Sequence, residues 1–388
     1  MTHALHQLQT AGQSPWLDAI DRTMIADGTL ERLIREDGLC GITSNPAIFQ
    51  KAFAAGDGYE RAIESKVEQG ELDPLSVYES LALKDIREAA DLLAPVHART
   101  SGADGYVSLE VSPTLAESAR ETYQEAHRLW KALERPNVMI KIPGTREGLE
   151  AVEDLIADGI NVNVTLLFDR ALYRRAAESY QRGLERRAVS GKPLNTISSV
   201  ASFFISRIDT AVDATLQQRL DTRLSGENAR QAKELVGQVA VANARLAYRD
   251  YLGILATPRW RALAEMGARP QRLLWASTGT KSKVMSDVHY VESLIGSQTV
   301  NTMPPETFWA FRDHGQVNPT LSEGVAKAEH ALTRLSLLGI PLNSITARLR
   351  QEGIDGFKSA YAQLLETVAG KIEANTHPTT GEHPCKLA

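Results

Sequence analysis

Lys141 stands in the run Val138-Met139-Ile140-Lys141-Ile142-Pro143, with apolar neighbours on both sides. An amine drawn into such surroundings loses the hydration that favours its charge, so its pKa falls and a neutral fraction can attack a carbonyl. Loss of water then gives a Schiff base, and the protonated imine draws electrons from a neighbouring carbon–carbon bond as it breaks or forms. The plainer reading is a lysine whose ammonium reaches water from a strand end. Imine chemistry also needs proton carriers. Glu110 can move protons through a water held by Thr165 if partial burial raises its pKa; a simple ion pair with Lys141 is the alternative, and it keeps both residues in one site. Asp18, in Trp16-Leu17-Asp18, is either a second acid/base or a helix N-cap. Asn45, followed by Pro46, by itself marks a turn.

A second group suits an anion. Arg207, in Ala201-Ser202-Phe203-Phe204-Ile205-Ser206-Arg207, falls in the first turn of a predicted helix, where free backbone N–H groups and a guanidinium can meet a phosphate. Ser277 ends another predicted strand and Lys281 lies on the loop that follows, and loops after the last strands of a barrel commonly hold phosphate. A surface or helix-pairing role is the alternative for Arg207, and a solvated one for Lys281.

The elements that must position these residues are short apolar runs alternating with longer amphipathic stretches, the pattern of βα units and a parallel sheet. Eight strands are predicted: Pro15–Asp18, Leu39–Ser44, Tyr106–Val111, Val138–Ile142, Asn161–Thr165, Thr196–Ser202, Arg272–Ser277 and Gln298–Thr302. Helical patterns lie between them, among them Asp73–Leu93 with Asp73 as N-cap, Pro113–Leu133, Arg146–Asp158 and Asp169–Arg187. The predicted class is α/β, a (β/α)8 TIM barrel with additional C-terminal helices, since such barrels take about 250 residues. An open doubly wound sheet lacks its glycine-rich dinucleotide turn here. One domain over residues 1–374 is expected, with a barrel core at about 14–303, an extra helical layer at about 304–370 (helices Pro305–Asp313, Ser322–Leu338 and Leu342–Leu365) and a loosely ordered tail at 375–388. Val325, Ala328, Leu332 and Leu335 would pack that layer on the barrel.

Strand parity gathers the chemistry. Side chains alternate between faces, so Val107, Leu109 and Val111 oppose Ser108 and Glu110; Ile140 and Ile142 oppose Met139 and Lys141; Val162, Val164 and Leu166 oppose Asn163 and Thr165. With the apolar faces docked on helices, Asn45, Glu110, Lys141, Thr165 and Ser202 meet at the carboxyl end of the barrel, where barrel enzymes place their sites.

Composition narrows the classes. The 388 residues carry 43 Lys+Arg against 48 Asp+Glu, a net charge of −5, which argues against a chain devoted to nucleic acid or anionic lipid. The arginine-rich Asp169–Arg187 segment interleaves Glu178 and Glu185, the mark of a solvated face. Two cysteines, Cys40 and Cys385, build neither a disulfide framework nor a Cys-based zinc site, and Cys40 reads as a small buried hydrophobe. The nine histidines include no HExxH pair, and Gly279-Thr280-Lys281-Ser282 lacks the rest of a P-loop. The first residues have no secretory pattern and no run is long enough to span a membrane, so a cytoplasmic setting is expected.

The segments VSLEVSP (107–113), NVMIKIPGTREGLEAVEDLIADGINVNVTLLF (137–168), GITSNPAIF (41–49), ASFFISRID (201–209) and SQTVNTMPPET (297–307) together resemble the transaldolases, most closely the longer bacterial subfamily, over about residues 16–370. The resemblance implies a class I aldolase-type barrel of the pentose phosphate pathway. It would transfer a dihydroxyacetone unit from a ketose phosphate (sedoheptulose 7-phosphate or fructose 6-phosphate) to an aldose phosphate (glyceraldehyde 3-phosphate or erythrose 4-phosphate), with no metal or organic cofactor. By that resemblance Lys141 is the Schiff-base lysine, Glu110 and Thr165 handle the catalytic water, and Asp18 is the acid/base of carbon–carbon cleavage. Asn45, Asn163 and Ser202 would hold substrate hydroxyls, Phe204 would shape the pocket, and Arg207 and Ser277 would bind phosphate. Shorter members carry a second phosphate-binding arginine where this chain has Gly279, and Lys281 is the nearest substitute. Sugar phosphates are the implied partners, with a homodimer possible and neither nucleic acid nor membrane involved. Alternatives are a class I aldolase that releases free dihydroxyacetone and a non-catalytic sugar-phosphate-binding barrel.

Overall fold

A computed structural model of the chain describes residues 3–56, 58–281 and 285–376. Eight parallel strands close into a barrel in sequence order: β1 Gln13–Leu17, β2 Gly41–Thr43, β3 Tyr106–Glu110, β4 Val138–Pro143, β5 Val162–Leu167, β6 Ser199–Phe204, β7 Arg272–Ala276 and β8 Thr299–Met303. The fold is the (β/α)8 TIM barrel with additional C-terminal helices that the alternation of runs predicts. Boundaries shift by a few residues. Asp18 lies just past β1, although its N–H still donates to Met303 O at 2.8 Å, and β6 starts at Ser199 rather than Thr196.

Local sequence places each helix behind its strand. Thr145 caps the helix Arg146–Asp158 by accepting from the Gly148 N–H at 2.9 Å, and Leu149, Val152, Leu155 and Ile156 form its buried stripe. A Cβ on Gly148 would stand 2.1 Å from Pro143 O, so only glycine lets this helix start hard against the end of β4. Asp73 caps the helix Pro74–Arg99, accepting from the Ser76 N–H at 2.9 Å, and that helix runs about one and two-thirds turns beyond Leu93. The single helix expected over Pro113–Leu133 is instead a 3-10 turn, Pro113–Leu115, followed by the helix Ala119–Leu133, because Ser118 accepts from the Glu121 N–H and restarts the chain there.

The arginines of the helix Arg170–Val189 stand on a solvated face, as expected, and there they pair with neighbouring helices: the exposed Arg182 meets Glu153 at 2.5 Å, the exposed Arg186 meets Asp154 at 2.5 Å, and Glu185 receives Arg259 at 2.6 Å.

The C-terminal helices divide their work. In the helix Val325–Leu337, Ala328 packs with Ala242 and Leu246 of the helix Val239–Leu255, so it extends the outer ring instead of lying on the barrel itself. The last helix is longer than expected, Leu342–Thr376, because Val368 and Ile372 continue the buried stripe of Leu364 past Leu365. Asn375 and Thr376 therefore belong to a helix, and the remainder of the expected tail, including Cys385, lies outside the described residues. This helix packs on the helix Pro46–Ala55 and crosses the barrel beside the carboxyl ends of the strands, where Gly353 lies so close to Leu166 that a Cβ would stand 2.8 Å from its Cδ2.

Candidate active site

The carboxyl ends of the strands open into a cavity of about 760 Å³. Its wall contains Asp18, Asn45, Lys141, Thr165, Ser202, Phe204, Arg207, Ser277 and Lys281.

Lys141 and Glu110 are register partners on β4 and β3, so parity points both into the barrel. Lys141 Nζ lies 3.4 Å from Glu110 Oε2 and donates to Ser44 O at 3.1 Å; the two side chains are 5% and 4% exposed. Burial pushes the Glu110 carboxyl up to about 7, with the nearby Asp18 charge adding to the rise and the Lys141 ammonium opposing it. Burial likewise raises the Asp18 carboxyl, while Lys141, the Thr43 hydroxyl and Arg207 pull it down. Asp18 is not a helix cap. That role falls to Asp21, which accepts from the Thr23 N–H at 2.6 Å. Asp18 Oδ1 instead accepts from Thr43 Oγ1 at 2.5 Å, and Thr43 in turn touches Thr302 Oγ1 at 2.7 Å.

Thr165 occupies a break in the sheet. The register between β5 and β6 shifts between Val164 and Leu167, and Leu166 sits in the left-handed region at φ 59°. The strict alternation expected through Leu166 therefore ends here, as bulges next to active sites re-aim side chains. Thr165 Oγ1 is buried with no hydrogen-bond partner among the described residues. Asn163 lies deeper than expected and does not line the cavity: its Oδ1 accepts from Ser202 Oγ at 2.7 Å and its Nδ2 donates to Ser108 Oγ at 3.1 Å, so it fixes Ser202 from below. Asn45 Oδ1 accepts from the Ile48 N–H at 3.0 Å, capping the next helix while the residue lines the cavity.

The cationic side is formed by the first turn of the helix Ser206–Thr222 and the loop after β7. Arg207 lies over the Phe204 ring at 5.5 Å, and Ser277, at φ 57°, contacts Ser206 Oγ through its hydroxyl at 2.9 Å. Gly279 is packed against Pro304 and Thr307: a Cβ there would stand 3.3 Å from Pro304 Cγ and 3.2 Å from Thr307 Oγ1. Any side chain at this position needs both neighbours to give by a few tenths of an ångström, while Lys281, two residues on, lines the cavity.

Sequence reasoning missed Phe357. It comes from the last helix, its ring centre lies 5.9 Å from Lys141 Nζ, and it lines the cavity at 6% exposure. Tyr361, one turn on, closes a crevice beside Glu110 and meets Tyr78 edge-on at 5.9 Å. Apolar spacing marks such residues as core, and nothing local says which core. Thr302 was equally silent as one of two threonines on β8.

No group of three His, Cys, Asp or Glu side chains among the described residues is arranged to hold a metal ion, and no described helix is long and apolar enough to cross a membrane. Cys40 is buried and burial pushes its thiol well above the ordinary range, as befits a core residue.

A closed parallel barrel with a buried lysine–glutamate pair at its carboxyl mouth belongs to the class I aldolase type. The family profile for transaldolase/fructose-6-phosphate aldolase matches residues 15–368, and the chain belongs to that family. It is 46% identical over 357 residues to a transaldolase of Thiobacillus denitrificans, covering 92% of this chain and 97% of the relative. A protein named transaldolase 2 from Nostoc is 46% identical over 373 residues (95% and 97%), and a transaldolase of Thermobifida fusca 44% over 380 residues (97% and 100%).

Proposed function

We propose that the protein is a transaldolase that moves a dihydroxyacetone unit from a ketose phosphate to an aldose phosphate through a Schiff base on Lys141. The observation that carries this reading is the buried pair: an amine 3.4 Å from a carboxyl raised to about 7, at the mouth of a cavity large enough for a sugar phosphate.

Lys141 Nζ attacks the ketose C2 carbonyl, and water leaves to form the imine. Glu110 and Thr165 hold that water between them and pass its protons, a task suited to a carboxyl that titrates near neutrality. The Asp18 carboxylate takes the proton of the C4 hydroxyl, the C3–C4 bond breaks, its electron pair moves into the imine to give an enamine, and the aldose phosphate departs. An incoming aldose phosphate accepts the C3 carbon of the enamine, and Asp18 returns the proton to the new C4 oxygen. Water then hydrolyses the imine and restores the Lys141 amine. Asn45 and Ser202, the latter held by Asn163, face the hydroxyls of the three-carbon unit, while Phe204 shapes the wall. Arg207 and Ser277 receive the phosphate, with Lys281 supplying the charge that Gly279 cannot. Fructose 6-phosphate or sedoheptulose 7-phosphate as donor, and glyceraldehyde 3-phosphate or erythrose 4-phosphate as acceptor, fit this arrangement. The cytoplasm suits a chain with a free buried thiol.

The test is borohydride reduction with fructose 6-phosphate, followed by peptide mapping. A mass increase fixed on Lys141 and formation of a new ketose phosphate with an added aldose phosphate are expected. No adduct on Lys141 rejects the mechanism; an adduct with release of free dihydroxyacetone but no transfer assigns the aldolase reaction instead.

A further inference from the structure

At the other end of the barrel, where the strands begin, lies a second cavity of about 610 Å³. Its wall holds three guanidiniums, those of Arg99, Arg269 and Arg272, against one carboxylate, that of Asp104. This local excess of positive charge occurs on a chain whose net charge is −5.

Two of the four charges cancel. Arg272 Nη2 meets Asp104 Oδ1 at 2.9 Å, and Asp104 is filled further by Ser14 Oγ at 2.6 Å and Trp16 Nε1 at 3.1 Å. Arg99 and Arg269 have no carboxylate partner among the described residues. Arg269 Nη1 reaches only Ser198 Oγ at 3.3 Å, while its Nη2 donates to Ser101 O. Its place is prepared by Gly102, at φ 80°, where a Cβ would stand 2.8 Å from Arg269 Nη1. Arg99 ends the helix Pro74–Arg99 and lines the same wall as Cys40, with its side chain exposed. Two elements distant in sequence thus bring uncompensated guanidiniums to one concavity, the donor set that grips phosphate oxygens in pairs.

We propose that this cavity binds a phosphate-bearing anion of metabolite size, with its phosphoryl group between Arg99 and Arg269, at a site separate from the catalytic mouth. Inorganic phosphate and a sugar phosphate share the chemistry that these arginines recognise. The cavity volume leaves room for the polyol of an ester beside the polar side chains of Ser297 and Gln298.

The experiment uses the full chain with Arg207→Ala, which removes the guanidinium of the mouth, titrated calorimetrically with inorganic phosphate and separately with ribose 5-phosphate. Saturable binding of at least one of them is expected to remain, and to weaken by about tenfold or more when Arg99→Ala or Arg269→Ala is added. Binding of the ester alone assigns a sugar phosphate; binding of both with equal affinity assigns the phosphoryl group by itself. Loss of all saturable binding in the Arg207→Ala protein, or binding unchanged by both further substitutions, overturns the proposal. Arg99→Ala by itself, an exposed position, should leave the KM for fructose 6-phosphate as it is; a rise equal to that of Arg207→Ala would return the anion to the mouth and overturn it as well.

Discussion

One barrel holds two buried cation–carboxylate pairs, Lys141–Glu110 at its carboxyl mouth and Arg272–Asp104 at its amino base. At the base the separation is 2.9 Å, and the other groups are engaged: Asp104 takes Ser14 and Trp16, and Arg272 also reaches Ala103 O at 2.6 Å. At the mouth the separation is 3.4 Å, Glu110 Oε2 has no hydrogen-bond partner among the described residues, and the buried Thr165 Oγ1 of β5 has none either. A buried pair repays its desolvation only when geometry is good and the remaining lone pairs are satisfied. The base meets that condition and the mouth does not, so Glu110 stays near the balance between its charged and neutral forms. The difference separates a pair that holds the barrel together from one that can exchange protons.

Substitutions can break this contrast. Lys141→Ala should abolish transfer while the thermal midpoint stays within a few degrees of the parent; substantial turnover in that variant rejects the covalent route. Glu110→Gln should lower kcat by about 10²–10⁴, the usual worth of a positioned acid/base. It also carries a pH signature. The folded Glu110 holds its proton up to about 7, whereas the unfolded chain releases it near the ordinary glutamate value of 4.5. Between those limits the native state binds more protons, so the contribution of Glu110 to stability is full below that window and is lost as pH rises through 7. Urea titrations from pH 4 to 8 should therefore show the parent losing stability relative to Glu110→Gln as pH rises; parallel curves would reject the raised carboxyl.

At the base, Asp104→Ala should cost about 3–5 kcal/mol of stability by stranding Arg272, with kcat per folded molecule retained. A loss of activity without loss of stability would show that the two pairs do not divide the work as described. The smallest effect belongs to the mouth's outer edge. Lys281→Ala removes a flexible cation and should raise the KM for fructose 6-phosphate by about fivefold at most, equivalent to ~1 kcal/mol; steady-state kinetics with an unchanged KM would remove Lys281 from the phosphate site.

Much of this arrangement is legible along the chain because it is periodic. Glu110 and Lys141 fall on the inward parity of adjacent strands, and the alternation of runs counts out eight strand–helix units without reference to any contact. The aperiodic features escape. The bulge at Thr165–Leu166 breaks parity where a side chain is re-aimed, and the cap at Ser118 divides one apolar stripe into a turn and a helix. Asn163 has the right parity for the site yet lies one layer down, since parity fixes a face and leaves depth along the barrel axis open.

The amino-acid order alone determined which residues turn inward and at which end of their strands they stand, because a strand's two-residue repeat and a helix's 3.6-residue repeat are local properties. Tertiary structure alone decided that Phe357, more than two hundred residues from Lys141, lies beside it, and that Glu110 is left incompletely partnered while Asp104 is filled. Burial and hydrogen-bond satisfaction depend on every element packed around a group, and no stretch of sequence contains that information by itself.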